Sequence, residues 1–226
     1  QIKYHNSPVY TLAQYLHSLL MREIKKSGIK VVISGVGADE LYSGYFDHYL
    51  FHLKYLYNKK DFKENLNYWK KYIKKFVRNP VLKNYKLFLN KPNFNEHIYD
   101  NIKNISEYLV DPEQGKFEEY KFLREQFSNR RLNEMFFEIV PAILNNEDLN
   151  AMMFSIENRS PFLDTQLFTE CLNMPSEYYI KNGLAKWPLR QIVENIVPEK
   201  IRLNKRKIGF NAPIEEVINF NKKENI

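Results

Sequence analysis

The chain has 226 residues, with 44% apolar and 27% charged residues, a formal net charge of +7 and a single cysteine. That is enough chain for one large domain with a real core, and too many apolar and aromatic residues for broad disorder. One cysteine, Cys171, excludes an internal disulfide framework and a cysteine-based metal site.

No run of about 20 apolar residues is present, so no membrane span is expected. The start, Gln1, has no signal-peptide character. We expect a cytoplasmic protein, and a first residue other than Met suggests a piece of a longer polypeptide. Basic residues cluster at Lys70–Lys75 and Arg202–Lys207, but no nucleic-acid recognition module accompanies them, so no nucleic-acid partner is expected. Cys171 lies in LFTECLNM, an apolar helical face, and reads as a buried thiol.

In chain order, Val9–Lys26 has Leu12, Leu16, Leu19 and Leu20 at helical spacing, with Gly28 as the end signal. Ile29–Ile33 is short, β-branched and unalternated, which predicts a buried parallel strand. A Gly-rich turn from Gly35 to Gly44 follows. Tyr45–Tyr57 and Phe62–Val77 are helical and rich in aromatics. Leu82–Asp111 mixes short helical and irregular segments, punctuated by Pro92. Phe117–Ile139 and Leu144–Glu157 are helical, and a turn at Arg159–Asp164 leads into a short helix over Asp164–Asn173. Gly183–Glu194 is helical with Pro188 near its first turn. The chain turns basic from Ile201, is broken at Gly209 and Pro213, and frays over 220–226. A lone parallel strand cannot satisfy its backbone groups, so its partner strands are expected from upstream of Gln1.

Three segments carry candidate chemistry. In Ser34–Gly44 a strand runs into a turn in which Gly35 and Gly37 let backbone amides approach a ligand. Asp39 offers oxygen for a magnesium ion, and Glu40 could support it or cap the next helix. The plain alternative is a strand–turn–helix corner with Asp39 as cap. Neither a Walker A motif nor a Rossmann fingerprint is present. In SIENRSPFLD, Glu157 and Arg159 can pair and Asp164 can cap; the segment is either a structural turn or the wall of a cleft. In GLAKWPLRQIV, Lys186 and Arg190 are four apart and share a face, which suits phosphate contact or a solvated surface equally. A fourth, basic segment, Arg202, Arg206 and Lys207 before Gly209–Phe210, could close over pyrophosphate or be surface. The five histidines form no metal pattern, and no nucleophile elbow occurs.

Together these segments resemble the C-terminal synthetase domain of the glutamine-hydrolysing asparagine synthetase family. SGVGADELYSGY resembles the family's SGxGxDE signature, SIENRSPFLD its SxExRxPFLD segment, KWPLR its KxxLR segment and RKIGF its RxKxGF tail. The resemblance implies an α/β, mostly helical fold, the C-terminal part of an adenine-nucleotide α-hydrolase-like (ATP pyrophosphatase) domain. It would span residues 1–226, with core motifs over 29–49 and 150–213 and a helical region over 50–149.

The implied activity is ATP- and magnesium-dependent ligation: a carboxylate, aspartate in the family, is adenylated and ammonia derived from glutamine displaces AMP. By resemblance Ser34, Gly35, Gly37 and Tyr45 face the nucleotide, Asp39 ligates magnesium, Lys186 stabilises charge on the reacting phosphate, and Glu40, Arg159 and Asp164 shape the site. A homodimer is compatible with it.

Two departures bear on this. The family's SGGxDS pyrophosphate loop and its glutaminase domain are absent, so we expect the C-terminal part of a longer enzyme, inactive alone. Val36 stands where the family's best-known members carry Glu. An apolar Val cannot replace its hydrogen bonds, so two acceptors stay open: aspartate, or another carboxylate such as a sugar acid or natural-product precursor. A helical interaction domain retaining only motif remnants is the non-catalytic alternative.

Overall fold

A computed structural model describes residues 1–9, 11–91, 110 and 118–207. It is a mostly helical α/β assembly with one small parallel sheet. The expectations for Pro92–Asp111 (Val110 apart), Phe117, Gly209, Pro213 and 220–226 fall outside the described residues.

After a single turn, α1 (Ile2–His5), the first long helix is α2 (Leu12–Lys26). The Thr11 hydroxyl caps it by accepting from the Gln14 amide at 3.1 Å, and Gly28, at φ +76°, ends it in the left-handed region. Its inward face differs from the leucine stripe: Gln14, Ser18 and Met21 are buried, whereas Leu20 is exposed. The reason is a polar ladder. Gln14 Nε2 donates to Asn146 Oδ1 at 2.8 Å, and Asn150 Nδ2 donates to the Gln14 carbonyl at 3.1 Å. Side-chain amides, not leucines, therefore join α2 to the helix carrying Asn146.

Strand β1 (Val31–Ile33) pairs in parallel with β2 (Glu157–Arg159), in the register Val31–Glu157, Val32–Asn158 and Ile33–Arg159. One partner strand thus comes from within the chain, where the sequence places the partners upstream of Gln1. Its sequence, ENR, has no strand character; its pairing is imposed by the ladder, which continues with Glu157 N–H to the Lys30 carbonyl at 2.8 Å and Ser34 N–H to the Arg159 carbonyl at 2.7 Å. Nor is the strand buried on both sides. Val32 packs with Met21, Ala151 and Ile156, while Ile33 is 77% exposed on the opposite face.

Beyond the sheet, α3 (Ala38–Tyr42) is followed by α4 (Phe46–Tyr55), whose residues from Asp47 to Leu53 are all buried. α5 (Phe62–Tyr68) runs on through a π turn, Trp69–Ile73, and a 3₁₀ turn, Lys74–Phe76; α6 is Tyr85–Asn90. These pack Leu50, Phe51, Trp69, Ile73 and Phe88 into the main aromatic core, with Phe127 and Tyr179 arriving from later in the chain. Truncating one such aromatic costs about 3–5 kcal/mol.

α7 (Gln126–Asn133) continues through a π turn, Glu134–Glu138, into α8 (Ile139–Met152). The helical path persists across Pro141, where the sequence reading left a break. Proline at the third position of α8 lacks an N–H and would crowd the preceding turn; the wider π turn just before it accommodates this. Residues 118–125 are not helical. They are tied instead by Asn129 and Asn133, whose Oδ1 atoms accept from the amides of Phe122, Leu123 and Tyr120. Glu125 caps α7 by accepting from the Phe127 and Ser128 amides.

The remaining helices are α9 (Thr165–Asn173), α10 (Trp187–Ile192) and α11 (Glu199–Arg202). Asp164 caps α9 through the Leu167 amide at 2.9 Å, as expected, and Pro188 lies in the first turn of α10. Cys171 is buried, and burial raises its thiol pKa. Among the described residues no helix is long and apolar enough to cross a membrane.

Within α4, His52 is buried beside Tyr55 and Phe127, and its Nε2 has no hydrogen-bond partner. Burial depresses its pKa to about 3 from an ordinary value of 6.5. The folded chain keeps the ring neutral, while the unfolded chain takes up a proton below that ordinary value. The stabilisation is therefore complete above the unfolded pKa and falls as pH drops toward the folded one. His52→Leu is expected to lose less stability than the parent between pH 7 and 4.5 in urea titrations. Equal losses would remove His52 from the acid response.

Candidate functional site

The end of β1 and the corner after it build one side of a cavity of about 420 Å³. Ser34, Gly35, Val36, Gly37, Asp39, Glu40 and Tyr45 line it, facing residues of α2 and α8 that include Gln14, His17, Asn146 and Glu147.

Gly35 and Gly37 have different reasons to be glycine. A Cβ on Gly35 would meet nothing within 4 Å, so its backbone faces open space. Gly37 has φ +89°, and a Cβ there would fall 2.4 Å from Leu163 Cδ2. Its glycine serves the turn and the close approach of the Pro161–Leu163 3₁₀ turn.

α3 is only five residues long and ends abruptly. Ser43 takes a left-handed φ of 65°, and the Gly44 amide returns to the Asp39 carbonyl at 2.7 Å. This lays the Asp39 carboxylate directly over Gly44: a Cβ on Gly44 would stand 1.5 Å from Asp39 Oδ1 and 2.6 Å from Lys186 Cε.

Two ammonium groups converge on that carboxylate. Lys186 Nζ and Lys207 Nζ each lie 3.1 Å from Asp39 Oδ1. Burial would raise the Asp39 pKa, but the nearby Lys207 and Lys186 charges outweigh it and hold the carboxyl below its usual range. Lys186 reaches Asp39 from the N-cap of α10, where its φ of 57° is left-handed. Such a backbone is uncommon for a residue with a Cβ.

Lys207 also donates to the Gly44 carbonyl at 2.9 Å and lies 4.2 Å over the Tyr45 ring. The sequence reading placed Lys207 in a basic loop without separating it from its neighbours.

Glu40 is buried and accepts from the Tyr45 hydroxyl at 2.5 Å. Burial, and then the Glu40 charge, push the Tyr45 phenol pKa up, so this hydroxyl stays protonated and donating. Arg131 secures the same short helix. Its guanidinium donates to the Glu40 and Leu41 carbonyls at 3.0 and 2.6 Å and stacks 3.7 Å over the Tyr179 ring.

At the other end of the cavity, Ser34 Oγ and Asn158 Nδ2 both donate to Glu147 Oε2 at 2.8 Å. Glu147 thereby joins the exit of β1 to β2. Nothing local marked Arg131 or Glu147 in the sequence, since both act across long sequence separations.

Arg159 and Arg190 stand apart from this group. Arg159 is 63% exposed in its side chain and pairs with Glu157 at 2.7 Å. Arg190 donates to the Ala185 carbonyl at 2.7 Å and to the Arg202 carbonyl. The shared face expected for Lys186 and Arg190 is therefore not formed: Lys186 is the cap outside the helix, and Arg190 braces α10 against α11.

A second charged group is buried behind the site. Asp47, His48 and Glu134 are close enough to share a metal ion. Their lone pairs are already engaged: His48 Nδ1 accepts from the Tyr45 amide at 3.4 Å and His48 Nε2 lies 2.7 Å from Glu134. Arg130 pairs with Glu134 at 3.1 Å, Glu119 at 2.7 Å and Asp47 at 3.6 Å. A metal would have to displace that guanidinium, so the cluster reads as an internal ionic anchor of α4 on α7. Asp39 is not part of it.

A family model described as asparagine synthase matches residues 2–224. Asparagine synthetase [glutamine-hydrolyzing] 1 of Bacillus subtilis is 44% identical over 72 residues, 32% of this chain and 11% of that protein. Putative asparagine synthetases [glutamine-hydrolyzing] of Mycobacterium bovis and Mycobacterium tuberculosis are each 26% identical over 226 residues, 93% of this chain and 34% of those proteins. The chain thus spans about a third or less of the length of these relatives. No solved structure matches it.

Gly44→Ala is expected to keep the fold but destabilise it by about 1–2 kcal/mol, because the methyl collides with the Asp39 carboxylate. In an Asp39→Ala background the same substitution should cost clearly less in urea titrations. An equal cost in both backgrounds would show that the collision is not with Asp39.

Proposed function

The chain belongs to the asparagine synthase family, and from that premise we propose that it is the synthetase part of an ATP-dependent carbon–nitrogen ligase. In this reading the sheet is the C-terminal portion of an adenine-nucleotide α-hydrolase-like domain. A carboxylate oxygen of the acceptor attacks the α-phosphorus of ATP and pyrophosphate leaves. Ammonia, supplied from glutamine by a glutaminase domain of the same enzyme, then attacks the acyl carbon and AMP leaves. The product with aspartate is asparagine.

The observation that carries this reading is the Asp39 corner. One carboxylate and two lysines from sequence-distant segments meet at the end of a parallel strand, beside a cavity opened by Gly35. Open α/β sheets bind ligands outside the carboxyl ends of their strands.

The donor set fits a magnesium ion, since the carboxylates at the cavity offer only oxygen. Asp39 would hold it, and it would supply charge neutralisation for the phosphates. Two ammonium groups now share Asp39 Oδ1, so one must leave for a divalent ion to enter.

Lys186 is then free to follow negative charge onto the reacting phosphate. Ser34, Gly35 and Gly37 shape the wall against which the nucleotide lies. Glu40 acts through Tyr45: it fixes the ring that flanks Asp39 and Lys207. Arg159 in this reading reaches substrate only from its exposed place on β2.

Aspartate is the first acceptor to test. Val36 favours a second reading, in which the acceptor is a different carboxylate, because its side chain packs against the cluster of Leu41, Tyr42 and Met135 and offers the cavity wall no hydrogen bond.

The test is pyrophosphate release by the full-length gene product with ATP, magnesium and ammonium, with and without aspartate. Aspartate-dependent release with asparagine formed supports the first reading; none from a folded, ATP-binding protein moves the assignment to another acceptor. Asp39→Asn should lower release by at least about a hundredfold with little loss of stability, and unchanged release would remove Asp39 from the metal role. Lys186→Ala should cut the rate by a similar factor with ATP still bound, and normal turnover would leave Lys186 as the partner of Asp39 only.

A further inference from the structure

A second cavity, about 830 Å³, has Lys207 in its lining. Five cationic side chains line it: Lys75, Arg78, Lys83, Arg206 and Lys207. No carboxylate lines it among the described residues. Lys207 has Asp39 as partner; the other four form no ion pair within the described residues.

Uncompensated charge of one sign in a concave site concentrates the field and draws counter-ions. Apolar wall is also present, from Phe46, Phe76 and Leu82, and the Arg206 guanidinium lies 6.0 Å over the Phe76 ring. A mere inorganic ion would leave that wall uncovered. The volume lies in the range of sites for substantial organic ligands, roughly 300–1,000 Å³, and well above what a free amino acid fills.

Lys207 lines the second cavity and pairs with Asp39, which lines the first. It touches Asp39, and Phe46 follows Tyr45 directly in the chain, so an occupant here ends beside the corner where the proposed chemistry occurs. We propose that the second cavity binds the acceptor, a small organic polyanion with two or more carboxylate or phosphate groups on a carbon skeleton larger than an amino acid. This rests on the reading of the Asp39 corner as the activating site. An arriving anion also gives Lys207 a partner other than Asp39, which would clear one ammonium group from the carboxylate.

The experiment uses the full-length protein and 6-phosphogluconate as probe, with gluconate and inorganic phosphate for comparison, followed by calorimetry at low and high salt. Arg78 and Lys83 are exposed and make no ion pair with Asp39, so Arg78→Glu/Lys83→Glu should fold normally. Binding of 6-phosphogluconate should weaken about tenfold or more in that variant, and with added salt, while ATP binding is unchanged. A control, Lys25→Glu/Lys60→Glu, changes net charge equally but elsewhere and should bind as the parent does.

No binding, equal weakening in the control, or phosphate binding as tightly as 6-phosphogluconate would overturn the site. With an active acceptor in hand, the Arg78/Lys83 variant should raise its KM and leave the KM for ATP alone; an unchanged acceptor KM would overturn the acceptor role. Should pyrophosphate release respond to no carboxylate, the proposed reaction fails, yet the binding comparison still decides whether the cavity is an anion site.

Discussion

The Asp39 carboxylate pressed against Gly44 is the constraint around which the rest of the site is arranged. A five-residue helix cannot project a carboxylate sideways and return the chain at once unless the residue beneath it lacks a side chain. Ser43 accepts a left-handed backbone and Gly44 an occupied Cβ position so that this can happen. What results is a carboxylate reachable from two other parts of the chain, the N-cap of α10 and the segment after α11.

A helix this short has little stability of its own. It is held from behind by Arg131, whose guanidinium takes two of its carbonyls, and by the buried Glu40–Tyr45 hydrogen bond. Arg131 lies one residue after Arg130, which is embedded in Glu119, Glu134 and Asp47. One turn of α7 therefore anchors both α3 and α4. Burying these charges is expensive unless each is paired, and losing one partner of such a group costs about 3–5 kcal/mol. The network gives the Asp39 corner a fixed place relative to the aromatic core, which matters more for a reacting site than the net stability it adds.

Much of this was legible in the residues and some was not. The strand, the glycine turn, the aromatic helices after it, the end signals at Gly28 and Asp164 and the first-turn Pro188 follow from local backbone chemistry, so a linear reading finds them. Asp39 and Lys186 were also named as site residues, on a motif resemblance, and the fold brings them within an ion pair of each other. The reading failed where contacts are long-range or polar. ENR in β2 carries no β preference and is a strand only because β1 needs a partner. The most buried positions of α2 are Gln14, Ser18 and Met21, because amides on α8 face it, and the leucines Leu12, Leu16 and Leu19 flank that line half-buried. Arg131 and Glu147 have no local signature, and the basic segment marked Lys207 without its partner; each is defined by what it meets 90 to 170 residues away in the chain. Lys186 and Arg190 were given one face by helical arithmetic, and the arithmetic does not hold across a helix cap.

Under the proposed function, the pairing of one carboxylate with two lysines also suits a site that would take highly charged ligands. Three like phosphates and a divalent cation cannot be accommodated by a neutral, apolar wall, yet unpaired charges of that number would repel one another or desolvate at high cost. Letting Lys186 and Lys207 neutralise Asp39 keeps the corner compact. Each of these ion pairs is only partly buried, so the attraction is screened by water and modest. It can be given up when a cation replaces the lysines on Asp39 and phosphate oxygens replace Asp39 on the lysines. Such an exchange would leave Asp39 and both lysines each facing an opposite charge. On this view Asp39 holds both lysines where phosphate oxygens would meet them, and the left-handed backbone of Lys186 at the N-cap of α10 brings its side chain to that corner.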